Sequence, residues 1–513
     1  MHAQSAPSGD QPAPPLRVAT HLVQVHVIVQ DKKGAPVTGL TKEDFTLLDR
    51  GQPQKIAFFS EESGGLGPAP AQPLPPDTFS NRYDQTGLAP GSVTVILLDA
   101  LNTAFSSGAY ARESVIKVLR RLKPEDHVAL YVLGSQLSVI QDFTQDSAAL
   151  LRALDRYEGQ FSMAKAASSP EPSETRDPNE DPNVLGNRDE ANNRVAGYYT
   201  AQRVQLTSQA ILAIANHLAS VPGRKNLVWL SQSYPISVDW AIRALNQADM
   251  AIYPVDPCGL IPPFSENHDC SAVPEFEAMN GLADRTGGRA SYNNNDVEGS
   301  VRTAIDDGRI SYVLGYYPDH GKWDGQFREI NVKVDRPDVE VRSRKGYFAI
   351  PDGSPGQREV HAAIEGALMS PLDSTGLGLT ISVQRGPQQG QAVLSMNLDA
   401  GGIHWDEVAG HWRDGLRIVF RQYNATGDPI GSLEGHLTLN LDKATYDRVM
   451  GEGIKWARQL AVAPGADTLK VLVLDTASGA TGTVTVPVKN YAQLVPEGTG
   501  ASPGAPPATE PTH

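Results

Sequence analysis

Asp99 ends an apolar run over residues 93–98, and Leu101-Asn102-Thr103 follow it before an amphipathic stretch begins near Gly108. That order predicts a buried strand, a loop at its C-terminal end and then a helix. In open α/β sheets, ligands bind outside those strand ends. A carboxylate there has two roles open to it. It can ligate a hard cation such as Mg2+, which takes oxygen donors and keeps waters. It can also cap the following helix and tie down its own loop.

Other reactive residue types are sparse. The chain has two cysteines, Cys258 and Cys270, inside DPCGLIPPFSENHDC. Isolated, close and flanked by Pro262 and Pro263, they are expected to form a disulfide, with two free thiols as the alternative. Closing so short a loop would stabilise by about 3 kcal/mol and would point to an oxidising compartment, periplasmic or extracellular. His268 lies between the cysteines, but no fourth zinc ligand is near in sequence. Ser231-Gln232-Ser233 follows another apolar run, yet no Gly-x-Ser-x-Gly surrounds it. No histidine and carboxylate share a catalytic spacing. His217 reads as a packed or surface side chain on a helix. His404, Trp405, His411 and Trp412 read as sandwich packing rather than a sugar site. Gly287-Gly288 is a turn, too little to cradle phosphate.

Composition limits the partners. The 513 residues carry 44 basic and 59 acidic side chains, for a formal charge of -15. Phosphate binding asks for a basic surface, so nucleic acid is not an expected partner. No apolar run reaches about twenty residues, so no transmembrane helix is expected. Met1-His2-Ala3-Gln4-Ser5 lacks a basic-then-apolar leader, although His2-Ala3-Gln4 is similar to what remains around a signal-peptidase cut.

The elements that must position Asp99 fall into three regions. Residues 1–16 are expected to be disordered, 17–60 a small all-β module, and 61–91 a Gly/Pro/Ala-rich linker. Residues 92–350 alternate strands and helices, which implies a mainly parallel sheet covered on both faces. An acidic, proline-bearing insertion over 160–198 interrupts the alternation and is expected to be a flexible rim. Consecutive β runs over 310–350 suggest an antiparallel extension. After a Pro/Gly hinge, residues 358–490 read as a β-sandwich with helix confined to about 443–453. Residues 491–513 read as a disordered tail.

Several dispersed motifs add to this. They are Gly39-Leu40-Thr41-Lys42-Glu43-Asp44-Phe45, Gly51-Gln52-Pro53-Gln54-Lys55-Ile56, Leu98-Asp99-Ala100-Leu101-Asn102-Thr103, Thr286-Gly287-Gly288-Arg289, Tyr312-Val313-Leu314-Gly315-Tyr316-Tyr317-Pro318 and Arg344-Lys345-Gly346-Tyr347-Phe348. In this order, over roughly residues 17–350, the chain resembles the von Willebrand factor A-related proteins of the acidobacterial type. The resemblance implies an α/β fold: a Rossmann-like von Willebrand A-type central domain with a binding face above Asp99, flanked by the β module and the sandwich.

The resemblance also implies a metal-ion-dependent adhesion site: an Asp-x-Ser-x-Ser loop, a threonine from a second loop and an aspartate after the fourth strand. Here Asp99 fits the first position and Thr103 the last hydroxyl. Leu101 cannot coordinate, while Asn102 offers an amide oxygen. Thr207 is the nearest candidate for the threonine, and Ser231 stands where the aspartate belongs. The expected set is thus Asp99, Asn102, Thr103 and Ser231, one carboxylate and one hydroxyl short, with Mg2+ as the only cofactor in view. The expected function is non-enzymatic: a secreted or periplasmic module binding a protein partner through a degenerate metal site. The alternative is a metal-dependent hydrolase using the Asp99 loop. Against it, Leu101 replaces the second aspartate of the Asp-x-Asp-x-Thr loop of haloacid dehalogenase-type phosphatases.

Overall fold

The computed structural model describes residues 22–63, 74–86, 91–168, 182–260, 275–319, 322–351 and 356–491. The central sheet orders its strands as Leu137–Thr144, Val128–Leu133, Ser92–Asp99, Arg224–Leu230 and Met250–Val255. All pairings are parallel except that of the edge strand Leu137–Thr144. A single parallel bridge from Val255 to Ser291 continues the sheet. Counted along the chain this is the 3-2-1-4-5 order of a doubly wound fold.

Strand alternation explains why Ser92–Asp99 is apolar nearly throughout. Ile96 and Leu98 pack with Val115, Leu119 and Val301 on one face. Val95 and Leu97 pack with Ile214, Leu245 and Leu282 on the other. Successive strand residues point to opposite faces, so a sheet covered on both sides needs apolar residues at every position. Each fully buried aliphatic side chain stabilises by about 1.5–3 kcal/mol.

The insertion differs from expectation. Helix Ser147–Ser168 runs on into the insertion, and helix Pro182–His217 starts in the middle of the polar stretch. The expected flexible rim over 160–198 is corrected to two helix ends flanking residues 169–181. The anchor is the C-terminal part of the second helix, where Ala210, Ile211, Ile214 and Ala215 enter the core. Once that part is fixed, each added helical residue costs little, because nucleation has already been met. Pro182 occupies the first helical position, where its missing N–H is harmless.

The expected self-contained module over 17–60 is also corrected. Strand Val23–Asp31 lies between Ile310–Tyr316 and Val339–Ser343, antiparallel to both. Ile56–Ser63 pairs with the other edge of Ile310–Tyr316. A second sheet joins Gly346–Phe348, Phe327–Val334, Phe45–Asp49 and Gln52–Gln54. Val25, Val27, Phe45, Leu47, Tyr312, Leu314 and Ile330 form the core between the sheets. The N-terminal strands and the expected 310–350 extension are therefore one sandwich. A strand buried at residue 27 needs hydrogen-bond partners along both edges, and residues 17–60 are too few to supply them.

The linker over 61–91 is corrected in part. Thr78–Ser80 pairs with Leu379–Arg385, and helix Tyr83–Thr86 follows. The Asn81 amide donates to Ser374 O and Leu377 O and accepts from Leu379 N. So short a strand leaves no periodic trace in sequence. The C-terminal region sets Ile454–Ala461, Gln391–Leu398, Leu379–Arg385 and Thr78–Ser80 against a sheet built on His411–Tyr423 and Thr468–Asp475, with one apolar core between them. Helix Lys443–Glu452 falls where expected. Helix Gln357–Met369 does not: it buries Val360, Ile364, Ala367 and Leu368 against Val419, Leu472 and Leu474. Its i, i+4, i+7, i+8 spacing was visible, but Pro351, Gly353, Pro355 and Gly356 read as a hinge. Trp405 and Trp412 pack on Tyr446 at 5.5 and 4.7 Å, while His404 and His411 are exposed.

One half-buried carboxyl in this domain, Asp414, generates a pH prediction. Burial, and then the neighbouring Asp475 carboxylate, push Asp414 up to about 7. A raised folded value means the contribution is fully present below the unfolded aspartate value of about 3.9. It falls as pH rises and is gone above about 7. Thermal unfolding across this window should show Asp414→Asn gaining on the parent chain as pH rises, then levelling. A difference independent of pH would mean that the carboxyl ionises normally.

Candidate functional site

The strand order reverses between Ser92–Asp99 and Arg224–Leu230. The chain leaves the first strand toward one edge of the sheet and returns to the fourth on its other side. Ligands bind at such switch points, outside the carboxyl ends of the strands. Leu98 and Leu230 are paired across that junction, so Asp99 and Ser231 are the next residues out. Both are buried, as is Thr207 from helix Pro182–His217.

Four donors converge on the Asp99 carboxylate. The Asn102 backbone N–H donates to Oδ1 at 2.9 Å. Asn102 Nδ2, Trp229 Nε1 and Ser231 Oγ each donate to Oδ2 at 2.9 Å. Asn102 Nδ2 also donates to Thr207 Oγ1 at 2.9 Å, and Arg203 Nε donates to Asn102 Oδ1 at 2.8 Å. A guanidinium can only donate, so the atom facing Arg203 must be the amide oxygen, and the amide nitrogen must face Asp99. Burial pushes the Asp99 carboxyl up, and the hydrogen bonds from Asn102, Trp229 and Ser231 oppose it.

The expected ligands are thus brought together in part. Asp99, Asn102 and Ser231 converge, and Thr207 joins them through Asn102. Thr103 does not reach the carboxylate: its Oγ1 accepts from Gln232 N at 3.4 Å. The alternative, in which Asp99 and Thr103 cap the helix and tie down the loop, is corrected in its capping half. Helix Phe105–Leu119 has Ala104 as its N-cap, without a side-chain cap. Asp99 binds its own loop through the Asn102 N–H and does not cap the helix. Leu101 packs against the core beneath the sheet, which fixes the loop but removes a ligand position.

These residues do not fit a resident Mg2+. The ion requires oxygen donors around it, and an amide NH2 fills the space between Asp99 and Thr207. Four donors occupy the accepting capacity of an ionised carboxylate. Ser231 Oγ stands 2.9 Å from Asp99 Oδ2 and 2.7 Å from Ser233 O, two acceptors that share its single proton, and no second carboxylate joins the set. Asp256 accepts from Cys258 N, and Glu275 accepts from Ser233 Oγ and Tyr234 N. Among the described residues no three His, Cys, Asp or Glu side chains converge to hold a metal.

Sequence reasoning missed three participants. Trp229 reads as plain core in Val228-Trp229-Leu230, yet its indole N–H is spent on Asp99. Arg203 stands four residues before Thr207, one helical turn away, and that spacing could have found it. Gln232 binds Ala104 N, Ser107 Oγ and Cys258 Sγ, at 2.5, 2.8 and 2.8 Å. Cys270, the expected partner of Cys258, lies outside the described residues, as do residues 1–16 and all but the first of 491–513.

No protein-family model and no curated protein matches the chain. Solved structures do. An aerotolerance-related membrane protein from Bacteroides fragilis aligns at 12% identity and a TM-score of 0.25, over 42% of this chain and 98% of its own. BatB from Bacteroides thetaiotaomicron aligns at 10% and 0.25, over 42% and 95%. A von Willebrand factor type A protein from Catenulispora acidiphila aligns at 11% and 0.25, over 61% and 81%. The fold class stands on this chain's own strand order and not on these likenesses.

Asp99→Ala would leave Trp229 Nε1 and the Asn102 backbone N–H without their acceptor, while Asn102 Nδ2 would keep Thr207 Oγ1 and Ser231 Oγ would keep Ser233 O. It should destabilise by about 3 kcal/mol, measured by denaturant unfolding. Asp99→Asn keeps one oxygen but sets an NH2 against the Asn102 N–H, and should cost about half as much. An Asp99→Ala chain as stable as the parent would mean that burying the carboxylate costs as much as its hydrogen bonds return.

Proposed function

We propose that this chain is a von Willebrand A-related binding protein of the acidobacterial type, secreted or periplasmic. It presents the face above Asp99 to a protein partner and performs no reaction there. The observation that carries this reading is the commitment of Asp99: a carboxylate holding four donors at the switch point is neither a free nucleophile nor a general base. The site keeps the position of a metal-ion-dependent adhesion site in degenerate form. The two sandwiches act as a frame for the central domain. No helix among the described residues is long and apolar enough to cross a membrane.

The metal part of the reading is tested by melting. A site saturated at a hundred times its dissociation constant would add about 2.7 kcal/mol. Millimolar Mg2+ or EDTA should leave the melting temperature unchanged. A shift of several degrees with Mg2+, lost in Asp99→Ala, would overturn it. Phosphatase or esterase turnover lost in the same variant would overturn the non-enzymatic reading. For partner binding, a photo-crosslinker at Phe105 should capture a protein in the native envelope that one at Ile430 does not.

The reading includes a disulfide between Cys258, whose Sγ lies beside Gln232, and Cys270. Non-reducing peptide mapping of protein from its native host should recover the two cysteines linked. Two free thiols would remove both the bridge and the argument for an oxidising compartment.

A further inference from the structure

Helix Pro182–His217 places Tyr199, Arg203 and Thr207 at i, i+4 and i+8, a stripe rising from the buried Asp99 cluster to solvent. Thr207 is fully buried, Arg203 partly exposed and Tyr199 40% exposed. Arg203 uses Nε on Asn102. Its two terminal nitrogens make no hydrogen bond or ion pair among the described residues. The face therefore holds a partly exposed cation that is oriented from below by Asn102.

We infer that Arg203 is the ligand contact of this face: its terminal nitrogens take the carboxylate of an aspartate or glutamate on a protein partner, with no metal between them. This rests on the reading of the face as a binding surface. The guanidinium fork matches a carboxylate bidentately, which an ammonium cannot do. Asn102 holds the fork in place before binding, so less side-chain freedom is lost when the ligand arrives. A single guanidinium balances a monoanion, whereas a phosphate dianion would bring a second charge with no cation to meet it. The surroundings suit a protein side chain. Tyr199 and Val204 are 40% and 38% exposed on the same helix, and Phe105, which begins the helix after the Asn102 loop, is 51% exposed. Tyr199 lies one helical turn from Arg203 on the same stripe, and an exposed aromatic side chain beside an arginine is the pairing enriched at interface centres. Asn102 is the positioning residue, joining Asp99, Thr207 and Arg203 in one chain of hydrogen bonds.

The test uses the full chain and a phage-displayed library of random linear peptides, selected in EDTA. Selected peptides should carry an aspartate or glutamate beside an apolar residue. Their affinity should fall about tenfold or more in Arg203→Ala, fall less in Arg203→Lys, and not respond to Mg2+. Melting temperatures of the variants, matched to the parent, separate lost contact from lost fold, and Arg203→Gln serves where Arg203→Ala melts early. Peptides without acidic residues, or binding that needs Mg2+, overturn the inference. Peptides that bind Arg203→Ala unchanged but are displaced by a label at Phe105 overturn the part given to Arg203 and leave the face a binding surface. Peptides indifferent to both changes overturn the binding face as well.

Discussion

The pairing of strand Val23–Asp31 with strands from residues 310–343 constrains everything between them. The central domain is an insertion in a loop of this sandwich, entering after Ile56–Ser63 and leaving into Ile310–Tyr316, which are themselves paired. The chain reaches it by way of Thr78–Ser80, which pairs in the C-terminal sandwich, and leaves it directly into Ile310–Tyr316. The seam below the central sheet is closed by buried charge. His26 Nε2 lies 2.6 Å from Asp249 Oδ2. Asp307 takes Arg342 at 2.6 Å, Gln30 at 3.0 Å and the Tyr253 hydroxyl at 2.9 Å. Burial alone would raise the Asp249 carboxyl, but His26, and then Lys225 and Arg344, hold it well below the usual carboxylate range. Burying such pairs gains little net stability, whereas removing one partner costs several kcal/mol, about 3–5. The seam therefore specifies one docking geometry more than it adds to stability.

The C-terminal sandwich holds the other end of the site's helix. His217, near the end of the helix that carries Arg203 and Thr207, lies between the Tyr83 hydroxyl at 3.0 Å and Asp373 O at 2.7 Å. Thr375 N donates to Asn216 O, and Thr375 Oγ1 donates to His217 O. Leu372 from the same loop enters the central core. Thr207 and Arg203 thus stand on a helix pinned by a neighbouring domain, which sets the position of Arg203 over Asn102. The packed histidine expected at 217 is a joint between domains.

Much of the central domain was legible, because strands buried on both faces and amphipathic helices have strong periodicity. Asp99 could be named from the strand–loop–helix pattern, and Asn102, Ser231 and Thr207 only through the resemblance to the von Willebrand A site. Their chemistry could not. Whether Asn102 offers its oxygen or its nitrogen to Asp99 is decided by Arg203, more than a hundred residues away, and whether Asp99 is free is decided by Trp229. Domain boundaries failed where pairing is non-local. No pattern in residues 17–60 says that their partners lie near residue 340, and Thr78–Ser80 is too short for its alternation to be seen. The helix over the polar insertion failed for a different reason. Low apolar content argues against a core but does not argue against a helix whose far end is already buried.

The shared sandwich also orders events in time. During synthesis, Val23–Asp31 emerges long before Ile310–Tyr316, and must wait for nearly three hundred residues with both edges unpaired. Such edges are templates for pairing with other chains, and long-range β pairing is slow because loop closure precedes any return. The nascent chain therefore carries a vulnerable apolar strand until the whole central domain has been made. A helper that shields the first sixty residues, or export of the chain before it folds, would remove that hazard.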